Sequence, residues 1–527
     1  MPLISPTARP QIEAISQMVY CNPFLPERIA AERQVLGDSF SERGAVWNVS
    51  AAGLRQRANI EALKDVIERQ CESLRSELVA GVRPTGEEGQ LYEDLVLYAL
   101  YYRHNESLET AINDARAAKP MRGLVGIFEA LRDEVRHFFR DGKLLRREAP
   151  CPAHMLACFF QIRRAFDQIF NSIVGTSMPA ARLRAGIWQS IFTHDMRRYR
   201  RSLFDKTGDF TTLIVGPSGT GKELVARAIG ASRYIPFDAK SKTFTEDFAG
   251  SFYPLNLSAL SPTLVESELF GHRRGAFTGA IDDRMGWLQT CPPLGTVFLD
   301  EIGELDPSIQ VKLLRVLQTR TFQRLGETKT IAFRGKIIAA TNRDLAAEMQ
   351  AGGFRRDFYY RLCSDIITTP SLREQLGDSA SELRTLIEFI AQRLLPAEAD
   401  TLADETMASI KRNLGRDYPW PGNFRELEQC VRNVLVRGDY RPTSLPSVAH
   451  GDDLASAIAA GSLTADQLLS RYCAHLYRLT GSYEAAGERL GLDRRTVRAR
   501  AVSVLTPTDH FTREIDEDGP AGPSSSS

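Results

Sequence analysis

A short apolar run, Thr212-Leu213-Ile214-Val215, leads into Gly216-Pro217-Ser218-Gly219-Thr220-Gly221-Lys222-Glu223 and then into Leu224-Val225-Ala226-Arg227-Ala228-Ile229. The order is strand, glycine loop, helix. Glycines let backbone amides turn inward around phosphate oxygens, and the start of the following helix adds a favourable dipole. Lys222 would reach the β- and γ-phosphates of a nucleoside triphosphate. Glu223 stands where Ser or Thr usually meets magnesium in a loop of this kind. A glycine turn of no function is the competing reading, and the flanking elements argue against it.

A second apolar strand, Gly295-Thr296-Val297-Phe298-Leu299, delivers Asp300 and Glu301 to its carboxyl end, where α/β sheets bind ligands. Asp300 would hold Mg²⁺ through water. Glu301 would orient and deprotonate an attacking water. Alone, such a pair would more often be a solvated loop; the phosphate loop upstream reverses that. Ile337-Ile338-Ala339-Ala340-Thr341-Asn342 is a third such strand. Asn342 is either a sensor of the γ-phosphate or a strand-end cap.

At 527 residues the chain is too long for one core, so several domains are expected. Residues 1–170 read as helical, from the spacing of Leu95, Tyr98 and Tyr102, of Phe128, Leu131, Val135 and Phe138, and of Phe159, Ile162, Phe166 and Phe170. Pro150 and Pro152 interrupt the pattern. Residues 171–370 alternate strands and helices, as a parallel sheet requires, and 371–440 read as a small helical bundle. Residues 441–462 suit a linker, 463–505 are helical again, and the Gly/Pro/Ser-rich end of 506–527 suits a disordered tail. The fold class is multidomain α/β.

Lys+Arg and Asp+Glu number 66 each, so any nucleic-acid contact must come from a local basic patch. Eight cysteines without a Cys-x-x-Cys pair read as reduced thiols and not as a zinc site. His104, His137 and His154 lack metal-ligand spacing. With no signal peptide and no long uncharged apolar stretch, a soluble cytoplasmic protein with no membrane partner is expected.

Between the two phosphate motifs lies Gly275-Ala276-Phe277-Thr278-Gly279-Ala280, preceded by Glu266-Ser267-Glu268-Leu269-Phe270-Gly271-His272. With Phe354-Arg355-Arg356-Asp357-Phe358-Tyr359-Tyr360-Arg361-Leu362 and Trp420-Pro421-Gly422-Asn423-Phe424-Arg425-Glu426-Leu427, these motifs resemble the AAA+ domain of sigma-54-dependent transcription activators, the bacterial enhancer-binding proteins. The resemblance runs from about Ile173 to about Arg437. It makes Glu223 expected. It implies ATP and Mg²⁺ as ligands and Gly216 to Glu223 as the phosphate loop. It implies that Asn256 restrains Glu301. Arg355 and Arg361 would reach the γ-phosphate of a neighbouring subunit; without the motif they would be surface arginines in salt bridges. Arg425 would report nucleotide state to a helical lid, and Val174 in Ile173-Val174-Gly175 would pack the base. Hydrolysis between subunits implies a homo-oligomeric ring, commonly a hexamer. The Gly275–Ala280 loop would contact sigma-54 RNA polymerase through Phe277 and Thr278, with its glycines permitting sharp bends.

Two stretches depart from that pattern. Residues 234–252 are longer than the usual connection, and Thr290-Cys291-Pro292-Pro293-Leu294 replaces an acidic, glycine-rich turn. Altered ring contacts or an altered polymerase-facing surface are the expected consequences.

Near the end of the chain, Leu468, Leu469, Tyr472, Leu476 and Leu479 form one apolar face. Glu484 to Leu490 reads as a short helix and Gly491-Leu492 as a tight turn. Asp493 is an N-cap for Arg494-Arg495-Thr496-Val497-Arg498-Ala499-Arg500. The spacing is that of a helix-turn-helix and resembles the Fis-type module of many such activators. Arg494, Arg495, Thr496, Arg498 and Arg500 would contact double-stranded DNA at an upstream activator site, as a dimer on a palindrome. A helical hairpin with a solvated basic face is the alternative.

The function expected is ATP-driven remodelling of the closed sigma-54 polymerase complex into an open one. Two other readings stay open: a DNA-binding regulator that holds nucleotide as a structural ligand, and a remodeller of other proteins. Residues 1–170 show no strand–helix pattern ending in a phosphoacceptor Asp, and their signal is unread.

Overall fold

The computed structural model describes residues 2–42, 58–117, 121, 123–140, 144–145, 149–246, 252–379, 381–415, 418–442, 458, 461 and 463–502. Most of the 441–462 stretch and the tail beyond 502 therefore lie outside the described residues. The chain divides into a unit of residues 1–440 and a smaller one of 441–527.

The larger unit is centred on five parallel strands, β1 (Thr212–Val215), β2 (Phe252–Asn256), β3 (Thr296–Asp300), β4 (Lys336–Thr341) and β5 (Asp365–Thr368), in the order β5-β1-β4-β3-β2. β4 is buried along its whole length, which explains its unbroken run Ile337-Ile338-Ala339-Ala340. Leu213, Val297, Leu299, Ile337 and Ala339 point to one side of the sheet, into a core with Leu269, Leu313 and Phe358. Ile214, Phe298, Ile338 and Ala340 point to the other, against Val225, Ile229 and Ile187. This alternation is the period of two expected of a strand between two helical layers.

Among the described residues, seven helices of ten or more residues precede the sheet: α1 (Arg9–Tyr20), α2 (Glu27–Leu36), α3 (Ala58–Val79), α4 (Gly86–Arg116), α5 (Leu124–Phe139), α6 (Pro152–Ser172) and α7 (Met178–Phe192). Pro152 occupies the first turn of α6, where its missing N–H has no helical partner to lose. α6 crosses the expected boundary at residue 170 without a break. Its first half packs in the helical N-terminal core, through Phe159 and Phe160. Its second half, with Ala165 and Ile169, packs with α7 and the helix after the glycine loop, α8 (Lys222–Gly230).

The longer connection at 234–252 has a structural purpose. Phe237–Asp238 and Thr243–Phe244 pair as a small antiparallel hairpin. Its rings meet the N-terminal helices: Phe237 lies 4.9 Å from Phe128, and Phe244 stacks on Phe160 at 4.4 Å. Arg233 donates to the carbonyls of Pro293 (3.2 Å) and Gly295 (2.7 Å), so the second departure is anchored from the same connection.

After the sheet come α12 (Leu372–Asp378), α13 (Glu382–Leu394), α14 (Ala399–Asn413) and α15 (Asn423–Arg437), which share one core. Between α8 and α12 the sheet carries α9 (Pro262–Phe270), α10 (Pro307–Thr319) and α11 (Arg356–Leu362).

The smaller unit holds α16 (Ala465–Thr480), α17 (Tyr483–Leu490) and α18 (Arg494–Val502) around Cys473, Ala474, Leu476, Ala486, Val497 and Ala501. Thr464 and Gln467 form a capping box at the start of α16. Asp493 accepts from the amides of Arg495 (2.9 Å) and Thr496 (3.0 Å), the cap the sequence predicts for α18, a contact worth about 1 kcal/mol. Gly487 lets α17 approach the next turn, since a Cβ there would lie 2.6 Å from the Leu492 carbonyl oxygen.

All eight cysteines are free. Among the described residues no helix is long and apolar enough to cross a membrane, and no His, Cys, Asp and Glu cluster has the makings of a metal site.

Candidate functional site

The glycine loop leaves β1 at the carboxyl edge of the sheet and enters α8 through Gly221, which is left-handed at φ 85°. Gly216 has to be glycine, because a Cβ there would meet Thr369 Oγ1 at 2.2 Å and its carbonyl oxygen at 2.8 Å. Thr220 Oγ1 donates to the Pro217 carbonyl at 2.8 Å and lies 2.7 Å from Thr369 Oγ1, pinning the loop to the end of β5. Lys222 Nζ donates to the carbonyls of Gly216 (3.0 Å) and Pro217 (3.2 Å). Burial lowers its pKa, and the carboxylates of Glu301 and Asp300 work in the opposite direction. The lysine therefore sits within electrostatic reach of both acids, two strands away in the sheet. Glu223 pairs with Arg227 on the exposed face of α8.

Asp300 ends β3 and is half buried. Its pKa is raised by burial first and by Glu301 second. Two adjacent carboxylates in such a place favour a cation that neutralises them. Glu301 is left-handed at φ 55°, an unusual state for a residue with a Cβ and costing on the order of 1 kcal/mol. Three contacts hold it. Its amide donates to Asp300 Oδ1 (3.1 Å), its carbonyl accepts from Glu304 N (2.9 Å), and its Oε2 accepts from the Asn342 amide (3.3 Å). The carboxylate is thus tethered to the end of β4. Asn256, expected to restrain Glu301, has its Oδ1 taken by Ser258, from the amide at 3.0 Å and the hydroxyl at 2.8 Å. Its backbone still sets it beside Asp300 in the β2–β3 register.

The start of α15 meets the loop from the other side. Arg425 Nη1 donates to Ser218 Oγ at 3.1 Å, and Phe424 N to the Gly219 carbonyl at 3.1 Å. Asn423 Nδ2 donates to the Ser218 carbonyl at 2.9 Å, and its Oδ1 accepts from Leu372 N at 2.9 Å. Gly219 leaves no room for a side chain, since a Cβ would sit 2.4 Å from the Gly422 carbonyl oxygen. The sequence motif points to Arg425; the bridging role of Asn423 goes unread. Its signal is its backbone, left-handed at φ 51°, a state Asn tolerates better than most.

Beside the loop opens a pocket of about 230 Å³ lined by Ile173, Val174, Gly221, Leu224, Gln375 and Phe424, among others. Val174 thus lines the pocket beside the glycine loop. Gln375 Oε1 is buried without a hydrogen bond and offers an acceptor there. Two further residues shape this wall, and the sequence reading does not find them. Glu382, fully buried, accepts from Thr176 N, Thr176 Oγ1 and Ser177 Oγ at 2.5, 2.6 and 2.9 Å. Arg184, also buried, donates to the Gly175 carbonyl. Their partners are over 200 residues away for Glu382 and within one turn and a loop for Arg184.

The Gly275–Ala280 loop stands on two antiparallel pairs, Gly271–His272 with Arg284–Met285 and Thr321–Phe322 with Ile331–Ala332. Leu325 stitches them together: Arg273 N donates to its carbonyl and its amide donates to Gly271 O, both at 3.0 Å. Arg273 pairs with Asp283 and Glu327. The loop closes on itself through Gly275 N to Ala280 O (2.9 Å) and Ala280 N to Phe277 O (3.0 Å), with Gly275 at φ 79° and Gly279 at φ 101°. Phe277 folds back edge-on to His272 at 5.0 Å and is half buried; Thr278 is exposed.

Arg355 forms a two-point pair with Asp357, and Arg361 donates through Nε and Nη2 to the Leu317 carbonyl. Arg355 is the residue before α11 and Arg361 lies in its last turn. In the smaller unit, Arg494, Arg495 and Arg498 are exposed on α18, while Arg500 pairs with Asp466 of α16 at 3.1 Å. Leu468 (36% exposed), Tyr472 (44%) and Leu479 (64%) leave part of the α16 apolar face uncovered.

Residues 192–368 match the family model described as sigma-54 interaction domain. Over 304 residues the chain is 40% identical to the transcriptional regulatory protein ZraR of Klebsiella oxytoca, covering 55% of this chain and 63% of that one. Over 229 residues it is 42% identical to the Nif-specific regulatory protein of Azotobacter vinelandii, covering 44% and 40%. The chain thus spans less than two thirds of the length of these curated relatives. Among solved structures, NtrX from Brucella abortus is 24% identical over 71% of this chain and 79% of that one, with a TM-score of 0.38.

Proposed function

We propose, from the premise that this chain belongs to the sigma-54-dependent transcription activators, that it binds upstream DNA and uses ATP hydrolysis in an oligomeric ring to open promoters held by sigma-54 polymerase. The observation that carries the reading is the placement of Glu301 and Lys222 at the same edge of one parallel sheet, with the Gly275–Ala280 loop built on the segment between them.

The residues fit a triphosphate and its cation. The loop from Gly216 to Glu223 provides inward amides without side chains in the way, Lys222 a positive charge, and Gln375 an orphan acceptor beside the base pocket. Asp300 and Glu301 fit Mg²⁺, which when bound neutralises phosphate charge. Lys222 holds the β- and γ-phosphates. Glu301, fixed by Asn342 N, accepts a proton from the attacking water at its carboxylate. Arg425 and Asn423 bind the lid to the phosphate loop and carry its position to the helical bundle. Arg355 and Arg361 act on the phosphate of an adjacent subunit, which requires a ring. Leaving their present partners costs little for the exposed Arg355–Asp357 pair.

Phe277 and Thr278 form the contact to sigma-54. Phe277 must swing away from His272 to present its ring, and Gly275 and Gly279 permit the rotation. In the smaller unit, α17 and α18 act as a helix-turn-helix. Arg494, Arg495, Thr496 and Arg498 face DNA, and Arg500 braces α18 through Asp466. The uncovered face of α16 pairs with a second copy.

The test is ATP-dependent open-complex formation by sigma-54 polymerase on a supercoiled promoter with its upstream site. The account expects activation by the wild-type chain and none by Glu301→Gln at equal nucleotide occupancy. Activation that survives Glu301→Gln would favour nucleotide as a structural ligand.

A further inference from the structure

Gln310 is a fully buried amide in the first turn of α10. Such a side chain is stable in the interior only when its polar atoms find partners. Its three bonds all leave the helix. Nε2 donates to the Leu305 carbonyl at 2.8 Å and to the Gly353 carbonyl at 2.9 Å, and Oε1 accepts from the Arg355 amide at 2.9 Å. This set fixes the orientation of the amide, since the reversed one would turn its oxygen onto two carbonyls and its NH₂ onto an N–H.

The segments it joins serve the two sides of the proposed reaction. Leu305 ends the turn that begins at Glu301, with Glu304 N donating to Glu301 O (2.9 Å) and Leu305 N to Ile302 O (3.2 Å). Gly353 and Arg355 lead into α11. The same helix α10 holds the second arginine, because its Leu317 carbonyl accepts from Arg361, and Leu313 and Phe358 place α10 and α11 in one core. An exposed bridge runs beside the buried amide. Arg343 pairs with Glu304 at 2.5 Å and Glu348 at 2.9 Å, and the Glu348 carbonyl accepts from Gly353 N at 3.0 Å. Arg343 and Glu304 are each more than a third exposed, so that pair is weak and screened by salt. The firm link is Gln310.

We propose that Gln310 is a positioning residue for hydrolysis between subunits: it fastens the backbone of Arg355 to the turn behind Glu301, and so fixes where the arginine of one subunit meets the phosphate held by the next. The Arg355 guanidinium is paired with the exposed Asp357, so its own side-chain contact restrains it little. The place of its backbone is what the fold can set, and Gln310 sets it from the interior. Misplacing a group by about 1 Å from a reacting centre costs on the order of 100-fold in rate. This role rests on the function proposed above, in which Arg355 acts across a subunit boundary.

The experiment mixes full-length subunits in equal amounts and reads ATP hydrolysis. Lys222→Ala subunits lack the phosphate lysine and keep their arginine; Arg355→Ala subunits keep their nucleotide site and lack the arginine. Each should be inactive alone, and their mixture should regain hydrolysis where a sound site faces a sound arginine. Gln310→Met alone should hydrolyse ATP about 10-fold to 100-fold more slowly than wild type, with affinity for a fluorescent ATP analogue within about 2-fold. Mixed with Lys222→Ala it should regain as much as the first mixture does; mixed with Arg355→Ala it should regain nothing. Should the methionine variant lose its nucleotide affinity, Gln310→Glu, which keeps an acceptor for Arg355 N, takes its place in both mixtures. Wild-type rates in the Gln310 variant, regain with Arg355→Ala, or no regain with Lys222→Ala while the first mixture regains would each overturn the role of Gln310. Failure of the first mixture would overturn the action of Arg355 across subunits, and this role with it.

Discussion

Asn423 Nδ2 donates to the Ser218 carbonyl oxygen at 2.9 Å, joining the first residue of the lid helix α15 to the middle of the phosphate loop 205 residues earlier. The same side chain accepts from Leu372 N, at the start of α12. One amide thus spans loop, lid and the turn between sheet and lid. The Ser218 carbonyl is linked through this one side chain to the starts of both α12 and α15.

Asn423→Asp keeps the acceptor for Leu372 N and replaces the donor to Ser218 with a carboxylate facing a carbonyl. The expected outcome is a fold of near-normal stability with nucleotide affinity reduced roughly 10-fold, from the loss of about 1–2 kcal/mol of loop–lid contact. Equilibrium binding of a fluorescent ATP analogue checks it, and unaltered affinity would place the bridge outside nucleotide binding.

Glu301→Gln retains the bond from Asn342 N, because the amide oxygen still accepts, and removes the proton acceptor. Hydrolysis should fall by about 10²–10⁴ with ATP affinity within a few-fold of wild type. Phosphate release and binding measured on the same preparation separate the two. Equal losses in both would mean that Glu301 supports the fold of the site and not the proton transfer.

Lys336 is fully buried at the start of β4. It donates to the carbonyls of Phe210 (2.8 Å) and Thr207 (3.3 Å), and burial brings its pKa down to about 7. A depressed lysine binds its proton more weakly folded than unfolded. Above the unfolded pKa, near 10.5, it costs nothing; as pH falls toward 7 the unfolded chain takes up a proton the folded one resists, so stability declines across that window and levels off below it. Lys336→Met should remove this slope, measured as unfolding midpoints in urea between pH 7 and 10. A slope that persists would assign it to other groups.

Arg495→Ala removes an exposed cation from α18, while Arg500→Ala breaks the pair with Asp466. The first should weaken binding of duplex DNA and flatten its dependence on salt by about one unit of slope. The second should chiefly lower the stability of the three-helix unit, by less than about 1 kcal/mol for so exposed a pair. Gel-shift titrations at several salt concentrations and thermal melts distinguish them.

The strand, glycine loop and helix of the proposed phosphate site were legible in the sequence because they are consecutive. Gly216 to Lys222 lie within seven residues, and Asp300 with Glu301 follow one strand. The contacts that brace it were not, because they join distant segments. Glu382 to Thr176 and Ser177, and Asn423 to Ser218, are acceptors and donors that no periodicity marks. Asn256 adds a local contact that its motif position does not announce: its Oδ1 accepts from Ser258, while the Nδ2 donor is the atom that the proposed restraint of Glu301 uses. The insertion at 234–252 was visible as excess length, and only its packing on Phe128 and Phe160 explains it, as a graft that joins the sheet to the helical region.

The most direct measurement is open-complex formation by sigma-54 polymerase with wild type and Thr278→Ala, read beside their ATPase rates. Thr278 is exposed at the tip of the loop, which closes through the backbone bonds Gly275 N to Ala280 O and Ala280 N to Phe277 O, so hydrolysis should be retained. Coupling of hydrolysis to polymerase through this loop requires activation by wild type alone. Equal activation by both, or none by either even after residues 1–170 are deleted, would contradict it.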